Sequence, residues 1–142
     1  DVDLYSSDLY IEDVKETGKI DLPWEKLKDK RLMLSGATGM IGSFLVDVIL
    51  EKNEEEDLNC TIYALGRNEQ KAKDRFSKYE GNKNLVFIPY DVKLPFERDD
   101  IGAIDFILHL ASNTHPMQYS TDPIGTITTN IIGLQNLLDF SV

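Results

Sequence analysis

The sequence has a single cysteine, Cys60, and so cannot close an internal disulfide; placed in a run that reads as a buried strand, that thiol fits a reducing compartment. The cytoplasm is therefore the expected location. The longest apolar runs, such as Ala103 to Ala111, fall far short of the ~20 residues that span a bilayer. The acidic start Asp1-Val2-Asp3 lacks the basic region of a signal peptide, so no membrane association is expected. Positive charge is scarce too: Lys+Arg 15 against Asp+Glu 25 leaves a formal net charge of -10, which argues against binding the phosphate backbone of nucleic acid. Only two histidines occur, His109 and His115, and neither has a metal set or a catalytic triad around it. With five prolines, no internal repeat and no low-complexity tract, what remains is 42% apolar over 142 residues, enough for one domain with a hydrophobic core.

Residues 1–30 mix charges with Tyr5, Tyr10 and Trp24 and are punctuated by Gly18 and Pro23, which predicts a short helix from Ser7 to Glu16 and then a connector. We read them as an appendage to a main domain at 31–142, with Trp24 and Leu27 anchoring it by packing alone. Arg31 to Ser35 reads as a first strand. Ile41, Phe44, Leu45, Val48 and Ile49 recur at three- and four-residue spacing, the stripe of an amphipathic helix from Met40 to Lys52, ended by an acidic loop from Asn53 to Asp57. Cys60 to Leu65 predicts a second strand, and Asn68 to Tyr79 a charged helix with Ala72, Phe76 and Tyr79 on one side. Leu85 to Pro89 and Ile104 to Leu110 predict two more strands, separated by a loop or short helix at 92–102. After a loop from Ser112 to Thr121, a closing helix runs from about Pro123 to Phe140 with Asp122 as its cap. Alternating strands and helices imply an α/β fold: a doubly wound, mostly parallel sheet in three αβα layers with right-handed crossovers.

The strongest chemical signal is Ser35-Gly36-Ala37-Thr38-Gly39-Met40-Ile41-Gly42, set between a predicted strand and the start of a predicted helix. Gly36 permits the sharp turn off the strand, Gly39 lets the backbone approach a phosphate, and Gly42 lets the helix sit near the sheet. Free N–H groups and the positive end of the helix dipole then face an anion, such as the pyrophosphate of a dinucleotide. No Gly-Lys-Ser/Thr follows, which excludes a Walker phosphate loop.

With these residues in view, the sequence resembles the extended short-chain dehydrogenases/reductases, also called NAD-dependent epimerases/dehydratases. Further segments agree in order: Asp91-Val92 after the third strand, His109-Leu110-Ala111-Ser112 at the end of the fourth, and Asp122-Pro123 followed by Thr129-Asn130-Ile131-Ile132-Gly133. The resemblance covers about residues 31 to 142 and implies the N-terminal part of a Rossmann domain, truncated on its C-terminal side. It implies an NAD(P) cofactor met by Gly36, Thr38, Gly39, Met40, Ile41 and Gly42 at the pyrophosphate and by Arg67 and Asn68 past the second strand. Asp91 and Val92 would meet the adenine, and Leu110, Ala111 and Ser112 the nicotinamide ribose; Asn130 would carry an active-site hydrogen bond. Plainer readings stay open: Asp91 as a turn carboxylate, Ala111 and Ser112 as ordinary loop residues, Asn130 as a structural amide. His109 reads as a core histidine, and His115 as an exposed loop histidine.

Where a diphosphate nicotinamide usually meets an acid after the second strand, this chain reads Ala64-Leu65-Gly66-Arg67-Asn68. Arg67 suits a 2′-phosphate, which favours NADP over NAD; it can instead pair with Glu69 or Asp74 at a helix start. The resembling family acts through a Tyr-x-x-x-Lys pair whose lysine lowers the tyrosine pKa. That pair is expected downstream of the last helix and absent from this chain, so no catalytic residue is assigned within it. The expectation is a dinucleotide-binding fragment, inactive alone, of an enzyme that moves hydride between a nucleotide sugar and the nicotinamide. A non-catalytic dinucleotide-sensing or interaction module is the alternative, and a purely structural α/β domain the plainest one. The resemblance also implies a homodimer through the last helix, by way of Ile127, Ile131, Leu134 and Leu138.

Overall fold

The computed structural model describes residues 4–89 and 103–109, the last of these by backbone alone. A 3-10 turn at Leu4–Ser6 leads into α1 (Asp8–Gly18), and a second at Trp24–Leu27 leads into β1 (Arg31–Ser35). Then come α2 (Met40–Glu56), β2 (Thr61–Gly66), α3 (Glu69–Arg75), a 3-10 turn at Ser77–Tyr79, β3 (Leu85–Pro89) and β4 (Phe106–His109). All pairings are parallel and the strand order is β3-β2-β1-β4, so the chain steps outward from β1 to β3 and then crosses back to β1's other side. That is the order of a doubly wound Rossmann sheet, with its reversal between β1 and β4. The expected closing helix and residues 92–102 lie outside the described residues.

Register follows side-chain alternation. Leu32 and Leu34 share a face with Ile62, Ala64 and Phe106, and this face carries the main core with α1, α2 and α3. Met33, Tyr63, Leu65 and Ile88 form a smaller cluster on the other face. Each Leu or Ile removed from water in the main core contributes roughly 1.5–3 kcal/mol.

Three expectations are corrected. The sequence predicts an amphipathic α2, yet every residue from Ile41 to Leu50 is buried. The main core takes Phe44, Leu45, Val48 and Ile49 of the expected stripe, and α1 packs on the same helix, where Val46, Asp47 and Leu50 are buried as well. The acidic loop at 53–57 is also mostly helix: α2 continues to Glu56 and stops at Asp57, which takes a left-handed conformation (φ 52°). Asn53 explains the extension, for its carboxamide accepts from the Cys60 N–H at 2.9 Å and donates to the Cys60 carbonyl at 2.8 Å, tying the helix end to the approach of β2. The glutamates that follow are exposed and are good helix formers.

The predicted charged helix is shorter than expected. It ends at Arg75, and Phe76 leaves helical geometry before the turn that carries Tyr79. α1 runs from Asp8 to Gly18, capped by Ser7, whose hydroxyl accepts from the Tyr10 N–H. Trp24 and Leu27 are buried as packing anchors, and the Trp24 indole donates to the Ile20 carbonyl at 2.9 Å. Among the described residues no helix is long and apolar enough to cross a membrane.

Candidate functional site

Parallel strands deliver their following loops to one edge. Ser35 is level with Leu65 and His109, and Gly66 with Pro89, so the C-terminal ends of β1, β2, β3 and β4 lie at one edge of the sheet. The glycine segment lies there. Gly36 has φ +73°, a conformation that a side chain disfavours, and its carbonyl accepts from the Gly39 N–H at 3.2 Å, closing a tight turn. A Cβ on Gly42 would lie 2.1 Å from the Gly36 carbonyl oxygen and 2.9 Å from the Ala37 Cα, so this position admits glycine alone. At Gly39 the equivalent distance to the same oxygen is 3.4 Å, and space is not the constraint.

Gly39 caps α2 without a side-chain bond, whereas α1 and α3 are capped by the Ser7 hydroxyl and the Asn68 carboxamide. The first helical bond runs from the Ser43 N–H to the Gly39 carbonyl at 2.9 Å. The amides of Met40, Ile41 and Gly42 therefore have no acceptor inside their own helix. Ala37 and Ile41 turn their side chains inward; Thr38 and Gly39 are half-buried, and Met40 is exposed at the mouth. The edge thus offers backbone donors, a helix dipole and almost no side-chain bulk, which is what an anionic diphosphate requires.

Arg67 is exposed directly after β2, and among the described residues no ion pair or hydrogen bond holds it; neither Glu69 nor Asp74 does. Glu69 pairs with Lys73, and Asp74 accepts from Gln70. Asn68 is exposed, with its side-chain oxygen accepting from the Lys71 N–H at 3.0 Å as the cap of α3. The structure thus brings the glycine segment, Arg67 and Asn68 to one edge. Asp91, Val92, Leu110, Ala111, Ser112, His115 and Asn130 lie outside the described residues.

A family model described as the NAD dependent epimerase/dehydratase family matches residues 32–142. The chain belongs to this family. UDP-glucuronic acid decarboxylase 5 of Arabidopsis thaliana is 35% identical over 108 residues, which make up 76% of this chain and 29% of that protein. UDP-glucuronic acid decarboxylase 1 of Danio rerio is 32% identical over 109 residues, 77% of this chain and 24% of that protein. The chain spans less than a third of the length of these curated relatives.

One expectation about this epimerase/dehydratase chain fails on inspection of the sequence itself. The pattern Tyr-x-x-x-Lys does occur, at Tyr79-Glu80-Gly81-Asn82-Lys83. Its surroundings are nevertheless opposite to those a proton-transfer pair needs. The chain turns between the two residues, with Gly81 at φ +81° and the Asn82 N–H donating to the Tyr79 carbonyl, so they do not stack on a helix. Tyr79 is buried and donates to Asp47 at 2.9 Å; burial first, then the Asp47 charge, pushes its pKa up rather than down. Lys83 lines a cavity of about 340 Å³ with Asp29, Asn59 and Asn84, each placed before a strand and so at the sheet edge remote from the glycine segment.

The residues that sequence reasoning missed surround Asp47. This carboxylate, only 1% exposed, accepts from Tyr5 at 2.8 Å, from Tyr10, from Tyr79 at 2.9 Å and from Arg75 at 2.8 Å. Arg75 also donates to the Tyr5 and Tyr10 hydroxyls, at 2.7 Å each. Burial and then Asp47 raise the pKa of Tyr5, and for Arg75 burial pulls the pKa down but Asp47 carries it up. One signal was available: Asp47 interrupts the apolar run Phe44 to Leu50, and a carboxylate there must have partners.

Proposed function

We propose that this chain is the dinucleotide-binding part of an NAD(P)-dependent enzyme of the epimerase/dehydratase family that acts on a nucleotide sugar, with NADP preferred. The observation that carries the reading is the start of α2: a helix without a side-chain cap, entered through a tight glycine turn against which Gly42 packs so closely that it has no room for a Cβ. The amides of Met40, Ile41 and Gly42 would hold the pyrophosphate. The nicotinamide, when bound, would supply hydride transfer with a sugar carbon. Nucleotide-sugar chemistry is supported by the relatives, named as decarboxylases of UDP-glucuronic acid.

The NADP preference is supported by Gly66 and Arg67. An acid that would receive ribose hydroxyls is missing after β2, and a Cβ at Gly66 would press on the Phe87 ring at 3.3 Å. The exposed Arg67 guanidinium, a planar fork of donors, suits a phosphate in that place. Asp91, Val92, Leu110, Ala111, Ser112 and Asn130 would complete the contacts to adenine, nicotinamide ribose and substrate. Turnover would need a tyrosine of lowered pKa, the reverse of Tyr79, so the chain alone is expected to bind and not to react.

Calorimetric titration with NADPH and NADH tests both parts. Gly39→Asp places a carboxylate at the phosphate position, where a Cβ has room, and should abolish binding while leaving the fold intact. Arg67→Ala should remove a preference for NADPH. Binding that survives Gly39→Asp would end the dinucleotide reading; an equal affinity for the two cofactors in the wild type would end the NADP preference alone.

A further inference from the structure

The groups proposed to meet the dinucleotide ride on two helices: α2 presents its first amides, and α3 begins directly after Arg67 and Asn68. Asp47 lies seven residues into α2, and Arg75 ends α3 six residues after Glu69, so each sits ~10 Å below the helix start at 1.5 Å per residue. Their ion pair, at 2.8 Å and buried on the Asp47 side, is a direct bond between the two ligand-bearing helices. Tyr5 and Tyr10 then close over it from the N-terminal segment, each bonded to both partners. Their rings pack edge-on, Tyr5 on Tyr79 and Tyr10 on Phe44, and the guanidinium lies 5.5 Å from the Tyr5 centroid. A second fastening holds the far end of the segment, where Lys52 lies 5.2 Å over the Trp24 ring and its stem approaches Gly18. The segment is therefore a strap with two fixed ends, and its polar end grips the pair that sets the spacing of α2 and α3.

We propose that Asp47 and Arg75 are positioning residues for the dinucleotide, held in register by Tyr5 and Tyr10 of the strap. The proposal rests on the dinucleotide reading above. A rigid hydrogen-bonded junction fixes how far the α2 amides stand from Arg67, and a ligand that spans both pays for any slack in that distance. Removing the hydroxyls leaves the rings packed but frees the pair to shift.

The test uses the full chain with Tyr5→Phe/Tyr10→Phe together, and separately Asp47→Asn. Two readouts are taken well below the melting temperature: affinity for NADPH, and amide hydrogen exchange without ligand at Gly39 and Ser43, whose N–H groups bond to the Gly36 and Gly39 carbonyls. The double tyrosine variant should fold, lose protection at Gly39 and Ser43 and bind NADPH about tenfold more weakly. Asp47→Asn should move both readouts further in the same direction. A lowered melting temperature with unchanged exchange at Gly39 and Ser43 would overturn the proposal and leave Asp47 a purely structural group. Should the wild type bind neither dinucleotide, the exchange readout still decides, so failure of the dinucleotide reading is told apart from failure of this one.

Discussion

The same helix meets two opposite chemistries. At its N-terminus two glycines, Gly39 and Gly42, bring no side chain to the first turn, and the amides of Met40, Ile41 and Gly42 have no acceptor within the helix. One and a half to two turns further on, its outer face carries a carboxylate whose oxygens are bonded by three tyrosines and an arginine. Binding a ligand requires groups left unsatisfied, and stability requires that buried ones be satisfied. Both kinds of group stand on one helix, with the buried apolar residues Phe44 to Val46 between them.

The sharpest way to break that contrast is Asp47→Ala. It strands Arg75 and three hydroxyls in partial burial, and we expect a loss of about 3–5 kcal/mol in urea denaturation. A loss under about 1 kcal/mol would show that the outer face is not a saturated unit. Next comes Gly42→Ala, which should cost about 1–3 kcal/mol as the loop is forced off the helix, and should abolish NADPH binding. Retained binding with an unchanged melting temperature would remove the distinction drawn for the glycine segment.

A gentler probe is pH. The folded-state pKa values of Tyr5, Tyr10 and Tyr79 are raised above 10 by burial and by Asp47, so folding holds these protons more tightly than the unfolded chain does. The stability they contribute is fully present below about pH 10 and is lost as the pH rises beyond it. Urea midpoints at about pH 8 and about pH 11 should differ less in Tyr5→Phe/Tyr10→Phe than in the wild type. Equal differences would mean that the tyrosines titrate as though exposed. The smallest effect belongs to the capped helix that α2 is contrasted with: Ser7→Ala should cost about 1 kcal/mol of stability in urea denaturation.

Much of the scaffold was legible from local pattern. β1 and β3 match their predicted bounds, because a strand's apolar run ends where Gly or a polar turn begins. The glycine segment was legible because its spacing encodes a steric need that the structure shows at Gly42 and Gly36. The errors share another origin. Periodicity reports one face of α2, and nothing local announces that a second layer will cover the other. The acidic tail of α2 looked like solvent-exposed loop because composition registers exposure, which is correct, but not backbone geometry. The Tyr79 to Lys83 spacing shows the reverse hazard, a chemically suggestive pattern set in a turn, its tyrosine raised in pKa by burial and then by a carboxylate 32 positions away in sequence. Arg67 was visible as a cation without an acid beside it, while the Asp47 network required contacts spanning up to 70 positions.

The Asn53 carboxamide has a consequence for how this fold tolerates change. By giving an N–H to the Cys60 carbonyl and taking one from the Cys60 amide, it acts as a borrowed peptide unit, a one-residue rung of ladder supplied by a helix. The link between α2 and β2 is thereby measured out by a side chain of fixed length. Loops grafted between positions 57 and 60 would have to keep that rung in reach, whereas grafts that start before Asn53 would carry their own gauge with them.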